Sequence, residues 1–404
     1  MDIVITGQQA WDVEIGSNCK NIALEFSKHH RVLYVNSPLD RASLFKNSND
    51  PKVLKRREVI KKKQDGLEKI QENLWVLYPD ELIESINWIS SDKIFAFFNK
   101  RNNQIFADCI QREITRLGFK DIIHFNDNDM FRSFFLKDML EPKLSVYYSR
   151  DYMRAVDYWK KHGDLLEPEL IAKSDLCVAN STYLADYCRK FNPSSYYVGQ
   201  GCDLDIFLAG NKAAEPADLS HLSRPRIGYV GALQSIRLDM DLLQYIAEKR
   251  PEWNIVLVGP EDNEFLTSTL HQLPNVIFTG SRDISELPAY INAFDVCINP
   301  QLLNEVTIGN YPRKIDEYLA VGKPTVATST DAMSVFSEHV YLGKSKEDYI
   351  KLIEQALSEN SEARITARRA FASSHTWENS VGEIYKAIGL SSSDKKNYHY
   401  SNFS

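Results

Sequence analysis

The sequence predicts an α/β protein made of two Rossmann-like domains that face a cleft. Short apolar runs alternate with longer amphipathic runs, which is typical of a parallel sheet covered by helices. The polar passage 201–225 interrupts this alternation, which then starts again. A chain of 404 residues also exceeds what one hydrophobic core ordinarily organises. The predicted domains are 1–205 and 206–370, followed by a helix at 371–390 that packs back on the first domain and a flexible tail at 391–404.

In the first domain, strands are predicted from short, mostly apolar runs, and helices from apolar residues that recur with helical spacing. The strands are Asp2–Thr6, Arg31–Asn36, Trp75–Tyr78, Asp121–Phe125, Leu144–Tyr148, Asp175–Asn180 and Ser195–Val198. The helices are Ser17–His29, Asp92–Leu117, Tyr152–Lys160, Pro168–Lys173 and Thr182–Lys190.

The second domain repeats the pattern. Its predicted strands are Arg226–Val230, Asn254–Val258, Val276–Thr279, Asp295–Asn299 and Pro324–Ala327. Its predicted helices are Asp239–Lys249, Asn263–Gln272, Ile284–Asn292, Pro312–Val321 and Lys346–Ser358, with two further helices over Glu362–Ile388. Because both sheets are predicted to be parallel, ligands are expected beyond the carboxyl ends of their strands.

Composition limits the classes of function. A net charge of −7 and a pI near 5.8 argue against a general nucleic-acid binder. The six cysteines are scattered without a C-x-x-C pair, so we expect reduced, cytoplasmic thiols rather than a zinc site or a disulfide framework. The start, MDIVITGQQAW, lacks the features of a secretory signal, and no apolar run approaches the ~20 residues of a membrane span.

The segment Asn310–Thr328 is the strongest indication of a binding site. Pro312 suits the first turn of a helix, which places Arg313 and Lys314 at the positive end of the helix dipole. Cations are disfavoured there by ~0.3–1 kcal/mol each, unless an anion binds at the helix N-terminus. Glu317, one turn after Lys314, is placed to accept hydrogen bonds from sugar hydroxyls. The alternative is a solvated Lys314–Glu317 pair.

Three predicted strands of the second domain end in glycine, at Gly231, Gly259 and Gly280. Glycine lets a ligand approach the backbone closely. Arg237 lies in the loop after Gly231 and is a candidate phosphate ligand. The alternative is a set of glycine turns with a surface arginine.

The first domain offers weaker candidates. Gly16 precedes a predicted helix and suggests an anion site, with a simple helix cap as the alternative. His124, predicted at a strand end, is a catalytic candidate, with a structural role as the alternative. Asp151 is a candidate general base, and pairing with Arg150 or capping of the next helix are its alternatives.

At these motifs the sequence resembles the GT-B glycosyltransferases, particularly bacterial enzymes of polysaccharide, teichuronic-acid and exopolysaccharide assembly. The resembling segments are IGYVGALQSIRLDMDLL, WNIVLVGP, NVIFTGSRDISELPAYINAFDVCINP, YPRKIDEYLAVGKPTVAT and DLCVANSTYLADYCRKFNPSSYYVGQGCDLDIF. Within this family the chain fits the P-x-K-x-x-E-Y subgroup. Gly309 stands where retaining members carry the first of two glutamates, so the stereochemistry stays open.

The resemblance implies a nucleoside-diphosphate sugar as substrate, linked to UDP or GDP, with neither a separate cofactor nor a metal. The implied donor ligands are Lys314 with Arg237 and the backbone of Gly309, Asn310 and Tyr311 for the pyrophosphate, Glu317 for the ribose, and Ser281 and Arg282 beside the nucleobase. Trp377 lies in HTWENSVGEIYKAI, a segment that resembles the family's terminal helix, which crosses back to the first domain. The implied reaction is sugar transfer to an acceptor hydroxyl of a cell-surface glycan. A lipid-linked glycan is expected from the basic run Lys52–Lys63 and the aromatic stretch 86–98.

Other interpretations remain open. Asp127-Asn128-Asp129 fits a metal-binding D-x-D element, with an acidic loop as the alternative. An epimerase or phosphorylase, or an inactive nucleotide-sugar-binding paralogue, would use the same cleft. The basic run Lys52–Lys63 and the aromatic stretch 86–98 suggest peripheral contact with anionic lipid at the inner face of the membrane, with a solvated helix and core residues as the alternative.

Overall fold

The computed structural model describes residues 1–12, 17–46, 49–209 and 214–394, without the side chains of 45–46 and 390–394. The chain forms two compact units. The first contains Met1–Gly199 and the segment from Ser380, and the second contains Gln200–Asn379.

The first unit is built on an eight-stranded sheet. Its strands are β1 (Asp2–Gly7), β2 (Arg31–Val35), β3 (Leu67–Gln71), β4 (Leu74–Leu77), β5 (Ile123–Asp127), β6 (Leu144–Ser149), β7 (Leu176–Ala179) and β8 (Ser195–Tyr197). Their order across the sheet is β3-β4-β2-β1-β5-β6-β7-β8. All neighbouring strands run parallel except β3 and β4.

Helices connect these parallel strands. They are α1 (Asn18–Ser27), α2 (Arg41–Lys46), α3 (Pro51–Ile60), α4 (Asp92–Leu117), α5 (Leu136–Leu140), α6 (Asp157–Lys173) and α7 (Thr182–Arg189). Asp92 begins α4 with an acidic residue at the positive end of the dipole, and Gly118 ends it in the left-handed conformation, φ 62°.

The second unit repeats the architecture with a six-stranded parallel sheet, ordered β11-β10-β9-β12-β13-β14. Its strands are β9 (Arg226–Val230), β10 (Asn254–Val258), β11 (Val276–Gly280), β12 (Val296–Asn299), β13 (Thr325–Thr328) and β14 (Tyr341–Gly343). Its helices are α8 (Asp205–Ala209), α9 (Met240–Lys249), α10 (Asn263–Leu266), α11 (Leu287–Ala293), α12 (Lys314–Val321), α13 (Lys346–Ser358) and α14 (Glu362–Ser373).

The hydrophobic core of the second unit lies on both faces of its sheet. Ile255 and Leu257 of β10 pack into one buried cluster, whereas the alternate residues Val256 and Val258 pack into the other. Strands that are buried on both faces read as continuous apolar runs, which is why this half of the sequence predicts its strands well.

The last helix, α15 (Trp377–Asp394), returns the chain to the first unit. The ring of Tyr385 packs 5.5 Å from Phe26 of α1, and the Ser380 hydroxyl donates to the Gly199 carbonyl at 3.3 Å. The predicted fold class, two Rossmann-like α/β domains with a C-terminal helix that returns to the first, is therefore confirmed. Among the described helices, none combines the length and the apolar character that crossing a membrane requires.

Several elements of the structure differ from the prediction, among them β3, α6 and the C-terminal tail. Strand β3 has a mostly exposed burial pattern and was not predicted. Helix α6 continues through Pro168, where a break was predicted, because buried Leu170 and Ile171 hold the following turn in the core. The predicted tail at 391–404 is helical as far as Asp394, and 395–404 lie outside the described residues.

All six cysteines are free and buried, at positions 19, 109, 177, 188, 202 and 297. Burial raises the pKa of the Cys109 thiol to about 12, and burial also raises the pKa of Cys19 well above its usual value. The Cys19 and Cys109 thiols are therefore protonated and shielded at neutral pH.

Candidate functional site

Two glycines lie at the carboxyl edge of the second unit's sheet, where β9 and β10 run side by side. Gly231 follows β9 with φ 140°, and Gly259 follows β10 with φ 149°. A Cβ atom added at Gly259 would lie 2.0 Å from the Gly231 carbonyl oxygen. With Gly280, which ends the neighbouring β11, the three predicted glycines come together at one edge of the sheet.

Lys314, the first residue of α12, extends over this glycine edge. Its ammonium group donates to the Tyr229 hydroxyl and lies 4.0 Å from the centroid of that ring. A Cβ atom added at Gly231 would lie 2.8 Å from Lys314 Nζ. The side chain is half-buried, so its charge is presented at the carboxyl end of β9 rather than to bulk water.

Positive charge at the start of α12 is not neutralised locally. Arg313 is the N-cap residue. Among the described residues, no side chain caps the helix and the buried Arg313 Nε has no hydrogen-bond partner. Within the described part of the chain, no carboxylate oxygen lies within 4 Å of the charged groups of Arg313, Lys314 or Arg237. The half-buried Arg237 lies in the loop after β9, where its carbonyl accepts from the Leu302 amide at 2.8 Å.

Glu317 and Asp316 both lie in the first turn of α12 but have different surroundings. Glu317 is half-buried, and burial raises its pKa against the opposing effect of Arg313 and Lys314. Asp316 is fully buried, and its carboxylate accepts from the Cys202 thiol at 3.3 Å. Glu317 is therefore the carboxylate left available to a ligand.

The loop before α12 is held by side chains from inside the unit. The Gln301 amide donates to the Thr307 carbonyl at 2.6 Å, and the Thr307 carbonyl also accepts from the Asn310 amide at 3.0 Å. Gly309 and Tyr311 are buried. The backbone of Gly309–Tyr311 is thereby fixed beside the start of the helix.

Tyr311 reaches a histidine that the sequence analysis did not single out. His375 Nδ1 lies 3.1 Å from the Tyr311 hydroxyl oxygen and 2.6 Å from Asp316 Oδ1. These contacts join residues 59 and 64 positions apart, so no local motif signals them. Tyr229, the partner of Lys314, was missed for the same reason: it reads as an ordinary core residue of β9.

Ser281 and Arg282 follow β11. Ser281 is exposed. The Arg282 guanidinium lies 2.7 Å from Asp218 and 2.5 Å from the Tyr290 hydroxyl. Its charge is thus neutralised within the unit, in contrast to that of Lys314.

In the first unit, Asp151 and Asp127 share Arg150. Arg150 donates to Asp127 at 2.8 Å and to Asp151 at 2.5 Å, and the amides of residues 150 and 151 donate to the Asn128 side chain at 2.9 and 3.2 Å. Asp127 is fully buried, whereas the Asp151 side chain is 40% exposed. The pairing with Arg150, predicted as an alternative role for Asp151, is present, and the Asp151 carboxylate still reaches solvent.

The predicted position of His124 at a strand end is wrong. Strand β5 continues to Asp127, and His124 lies inside the sheet beside Val4 and Ser145. Its Nε2 is 2.9 Å from the Thr6 hydroxyl oxygen, and burial lowers its pKa to about 4. A neutral, enclosed imidazole of this kind fits a structural role.

The remaining candidates of the first unit are Gly16 and the D-x-D element. Gly16 lies outside the described residues, and the neighbouring Ser17 caps α1 by accepting from the Lys20 amide at 3.1 Å. In the D-x-D element, Asp129 accepts from the amides of Phe131 and Arg132 at 3.1 and 3.0 Å. Among the described residues, no three His, Cys, Asp or Glu side chains are grouped as metal ligands.

Comparison with known proteins agrees with this geometry. Residues 224–359, which carry the glycine edge and α12, match the family described as glycosyl transferases group 1. The chain is also 28% identical over 235 residues to the teichuronic acid biosynthesis glycosyltransferase TuaH of Bacillus subtilis (strain 168), whose own assignment is provisional. The match covers 55% of this chain, and the chain spans about 59% of the length of that relative.

Solved structures with the same fold extend over nearly the whole chain. Sucrose-phosphate synthase from Thermosynechococcus elongatus covers 96% of this chain and is covered to 99%, with a TM-score of 0.63 and 14% identity. Anabaena HepE in complex with UDP covers 96% and is covered to 100%, with a TM-score of 0.63 and 15% identity. The E. coli trehalose-6-phosphate structure bound with UDP-2-fluoro glucose covers 98% and is covered to 99%, with a TM-score of 0.64 and 12% identity. The resemblance to GT-B glycosyltransferases is thus confirmed.

Proposed function

We propose that this chain, a GT-B protein whose residues 224–359 belong to the glycosyl transferases group 1, moves a sugar from a nucleoside diphosphate to an acceptor hydroxyl. The observation that carries the proposal is the Lys314 ammonium, held over the backbone of Gly231 without a carboxylate partner in the described part of the chain. A half-buried cation of this kind, beside a helix N-terminus, is stable when an anion is bound.

The donor diphosphate is the anion that fits this site. Lys314, Arg237 and the backbone of Gly309–Tyr311 would hold its phosphates, and Glu317 would accept hydrogen bonds from the ribose hydroxyls. HepE bound to UDP and the E. coli protein bound to UDP-2-fluoro glucose share the fold, which supports a UDP-linked donor. A GDP-linked donor is the second choice.

In the reaction, the acceptor oxygen forms a bond to the anomeric carbon of the sugar. The bond from that carbon to the diphosphate breaks, and the electron pair leaves with the diphosphate. Lys314, Arg237 and the helix amides stabilise this charge, which lowers the barrier without requiring a metal. For an inverting reaction, Asp151 accepts the proton of the acceptor hydroxyl. Full activity in excess EDTA is expected, and its loss on chelation, with recovery on adding Mg²⁺, would contradict metal independence.

The first experiment is a thermal-shift panel of UDP-, GDP-, ADP- and dTDP-sugars on the full chain. A donor at 100 times its dissociation constant adds ~2.7 kcal/mol to the stability of the folded protein. We expect a shift with one donor, its loss in Lys314→Met, and its retention in Lys344→Ala, which removes an exposed lysine outside the site. A shift of wild-type size in Lys314→Met would contradict the assignment.

Turnover separates an enzyme from a binding protein. Removing one group that stabilises developing charge typically lowers the rate by ~10²–10³. Lys314→Ala should lose activity by this factor while its fold, followed by circular dichroism, stays intact. A wild type that binds the donor but transfers no sugar would favour the inactive paralogue, and isomerised or phosphorolysed sugar would favour the epimerase or phosphorylase.

We propose a cell-surface glycan, carried by a lipid, as the acceptor. The name of TuaH supports a polysaccharide, and a face of α4 supports contact with a membrane. Ile94 and Phe97 are 52% and 66% exposed on this face, beside the exposed cations Lys93, Lys100 and Arg101. Exposed apolar side chains flanked by cations suit the surface of an anionic bilayer, where each cation contributes ~1 kcal/mol.

The basic run Lys52–Lys63 contributes less to such a surface than its sequence suggests. Five of its seven cations are paired with carboxylates: Lys55 with Glu68, Arg56 with Asp12, Lys62 with Asp80, and Lys61 and Lys63 with Glu58. The membrane-facing element is therefore α4 rather than α3.

Binding to phosphatidylglycerol vesicles tests this contact. We expect salt-sensitive sedimentation with vesicles that weakens in Phe97→Ser and persists in Leu266→Ser, a control with 57% exposure in the second unit. Equal binding by the two variants would contradict a role for α4.

A further inference from the structure

The first unit contains a cavity of about 340 Å³ that the proposed donor site does not use. It lies at the carboxyl side of the sheet, between the segments that follow β2 and β4, the first turns of α4, the turn after β5 and the start of α6. Its volume falls at the lower end of the ~300–1,000 Å³ typical of small-molecule sites.

Two exposed aromatic rings line the cavity. Trp88 is 77% exposed and Tyr158 is 53% exposed. The Trp88 indole N–H donates to the Ser85 carbonyl at 2.7 Å, the Asn87 amide donates to the Tyr158 carbonyl at 2.9 Å, and Lys161 donates to the carbonyl of Trp88 at 3.0 Å. The Trp88 ring is thus held in place by its own hydrogen bond, and the backbone that carries the Tyr158 ring is fixed beside it, although neither ring gains much from burial.

The inner wall carries an unsatisfied amide. Asn99 lines the cavity and is 2% exposed, and among the residues that the structure describes its Nδ2 has no hydrogen-bond partner. The side-chain oxygen of Asn99, Oδ1, accepts from Asn103 Nδ2 at 3.3 Å. A buried donor without a partner costs ~1–3 kcal/mol. The N–H groups of Asn99 are therefore available to a ligand oxygen.

The charged side chains that line the cavity already have partners, and Glu84 among them accepts from Arg41 at 2.8 Å. Asp40 accepts from the hydroxyls of Ser43 and Ser85 at 2.7 and 2.5 Å, and Arg132 lies 3.6 Å from Asp129. An added anion or cation would disturb these arrangements. A neutral ligand with hydroxyl groups would only add hydrogen bonds to them.

We propose that this cavity binds a neutral pyranose unit of the acceptor glycan. One face of a pyranose ring presents C–H groups, which pack on Trp88 and Tyr158. Its hydroxyls supply the acceptor that Asn99 lacks and donors for the Asp40 carboxylate. The assignment to the acceptor rests on the proposed function, whereas sugar binding itself is tested without any donor.

The test is saturation-transfer NMR on the full chain with methyl glucoside, methyl galactoside and methyl N-acetylglucosaminide. We expect a saturation-transfer signal from at least one glycoside. Trp88→Ala and Tyr158→Ala should each bind that glycoside about fivefold more weakly. Asn99→Asp keeps the shape of the side chain without its N–H donors and should weaken binding similarly. Phe191→Ala, which alters an exposed aromatic residue of the first unit that does not line the cavity, should bind as the wild type does.

UDP binding separates this proposal from the donor site. Lys314→Met should lose UDP binding and keep the glycoside signal, whereas Trp88→Ala should keep UDP binding and bind the glycoside about fivefold more weakly. The absence of a saturation-transfer signal from every glycoside, in a folded chain that binds UDP, would overturn the proposal. Equal signals from the wild type and both aromatic variants would also overturn it. Capture of decanoate instead of a glycoside would identify an acyl-chain site and would also overturn it.

Discussion

The carboxyl edges of the two sheets differ in whether their cationic side chains are paired with carboxylates. In the second unit, Lys314 and Arg313 have no carboxylate partner in the part of the chain that the structure describes. In the first unit, Arg150 lies between Asp127 and Asp151, and Arg56 is paired with Asp12 at 2.9 Å.

The same architecture therefore produces two kinds of site. Unpaired cations beside glycine backbone suit an anionic ligand, because the ligand supplies the missing charge. A neutralised edge with aromatic rings and an open amide suits a ligand that is polar but uncharged. This division matches a transferase whose donor is a diphosphate and whose acceptor is a sugar.

The largest expected effect comes from removing the proposed general base, Asp151, at the carboxyl edge of the first unit's sheet. Asp151→Asn should lower turnover by about 10²-fold or more, because general base catalysis typically contributes ~10²–10⁴. Donor binding should not change. Steady-state kinetics with Asp157→Asn, which alters an exposed aspartate of the same unit, provides the control. A wild-type rate in Asp151→Asn would assign the proton to another group.

The next largest effect comes from removing a buried carboxylate partner of Arg150 in the first unit. Asp127→Ala leaves the Arg150 guanidinium with Asp151 alone and should lower the free energy of unfolding by about 3 kcal/mol, as breaking a buried ion pair does. Urea denaturation measures this loss. Asp186→Ala removes the partner of Arg189 in an exposed pair of the same unit and should cost less than about 1 kcal/mol. Equal losses in both variants would contradict the comparison.

A pH-dependent effect follows from His124. Because burial lowers its pKa from 6.5 to about 4, the folded state binds fewer protons than the unfolded state between these values. Stability is therefore complete above pH 6.5 and falls by up to about 3 kcal/mol as the pH drops towards 4. Burial lowers the pKa of His30 to about 4 as well, so it contributes with the same sign.

His124→Gln should remove its share of this decline, measured as the urea midpoint at pH 7 and at pH 4.5. His29→Gln, which alters an exposed histidine of the same unit, should keep the wild-type decline. If His124→Gln loses as much stability on acidification as the wild type, the imidazole is not the group responsible.

The smallest expected effect concerns the positioning of Lys314. Tyr229→Phe removes the hydroxyl to which Lys314 donates and should weaken UDP binding by about three- to tenfold, in line with one hydrogen bond. Calorimetry with UDP measures the change, and Tyr245→Phe, with its hydroxyl bonded to exposed Glu347, is the matched control. Unchanged affinity in Tyr229→Phe would leave Lys314 positioned by the backbone alone.

The sequence was most informative where local pattern and packing agree. Strands β9 and β10 and helices α4 and α13 have the predicted bounds, because their apolar residues follow one periodicity without interruption. Strand β5 was placed too early because Asn126 and Asp127 resemble loop residues, although both are buried in the sheet. Helix α12 begins at Lys314, two residues after the predicted start at Pro312.

Some residues of the candidate site could likewise be predicted from local sequence, and others could not. The glycine edge and Lys314 follow from strand ends and a helix start, which are local signals. The contact of His375 with Asp316 and the cavity around Asn99 depend on residues far apart in sequence, and nothing in their immediate neighbours signals them. Long-range polar contacts of this kind need coordinates.

The six buried thiols give the chain a practical advantage in spectroscopy. Since every native cysteine is enclosed, a maleimide dye offered at neutral pH would find few competing targets. Phe97→Cys would accordingly accept a fluorophore on α4 without prior removal of the native cysteines, and its emission would report directly on entry of that helix into lipid.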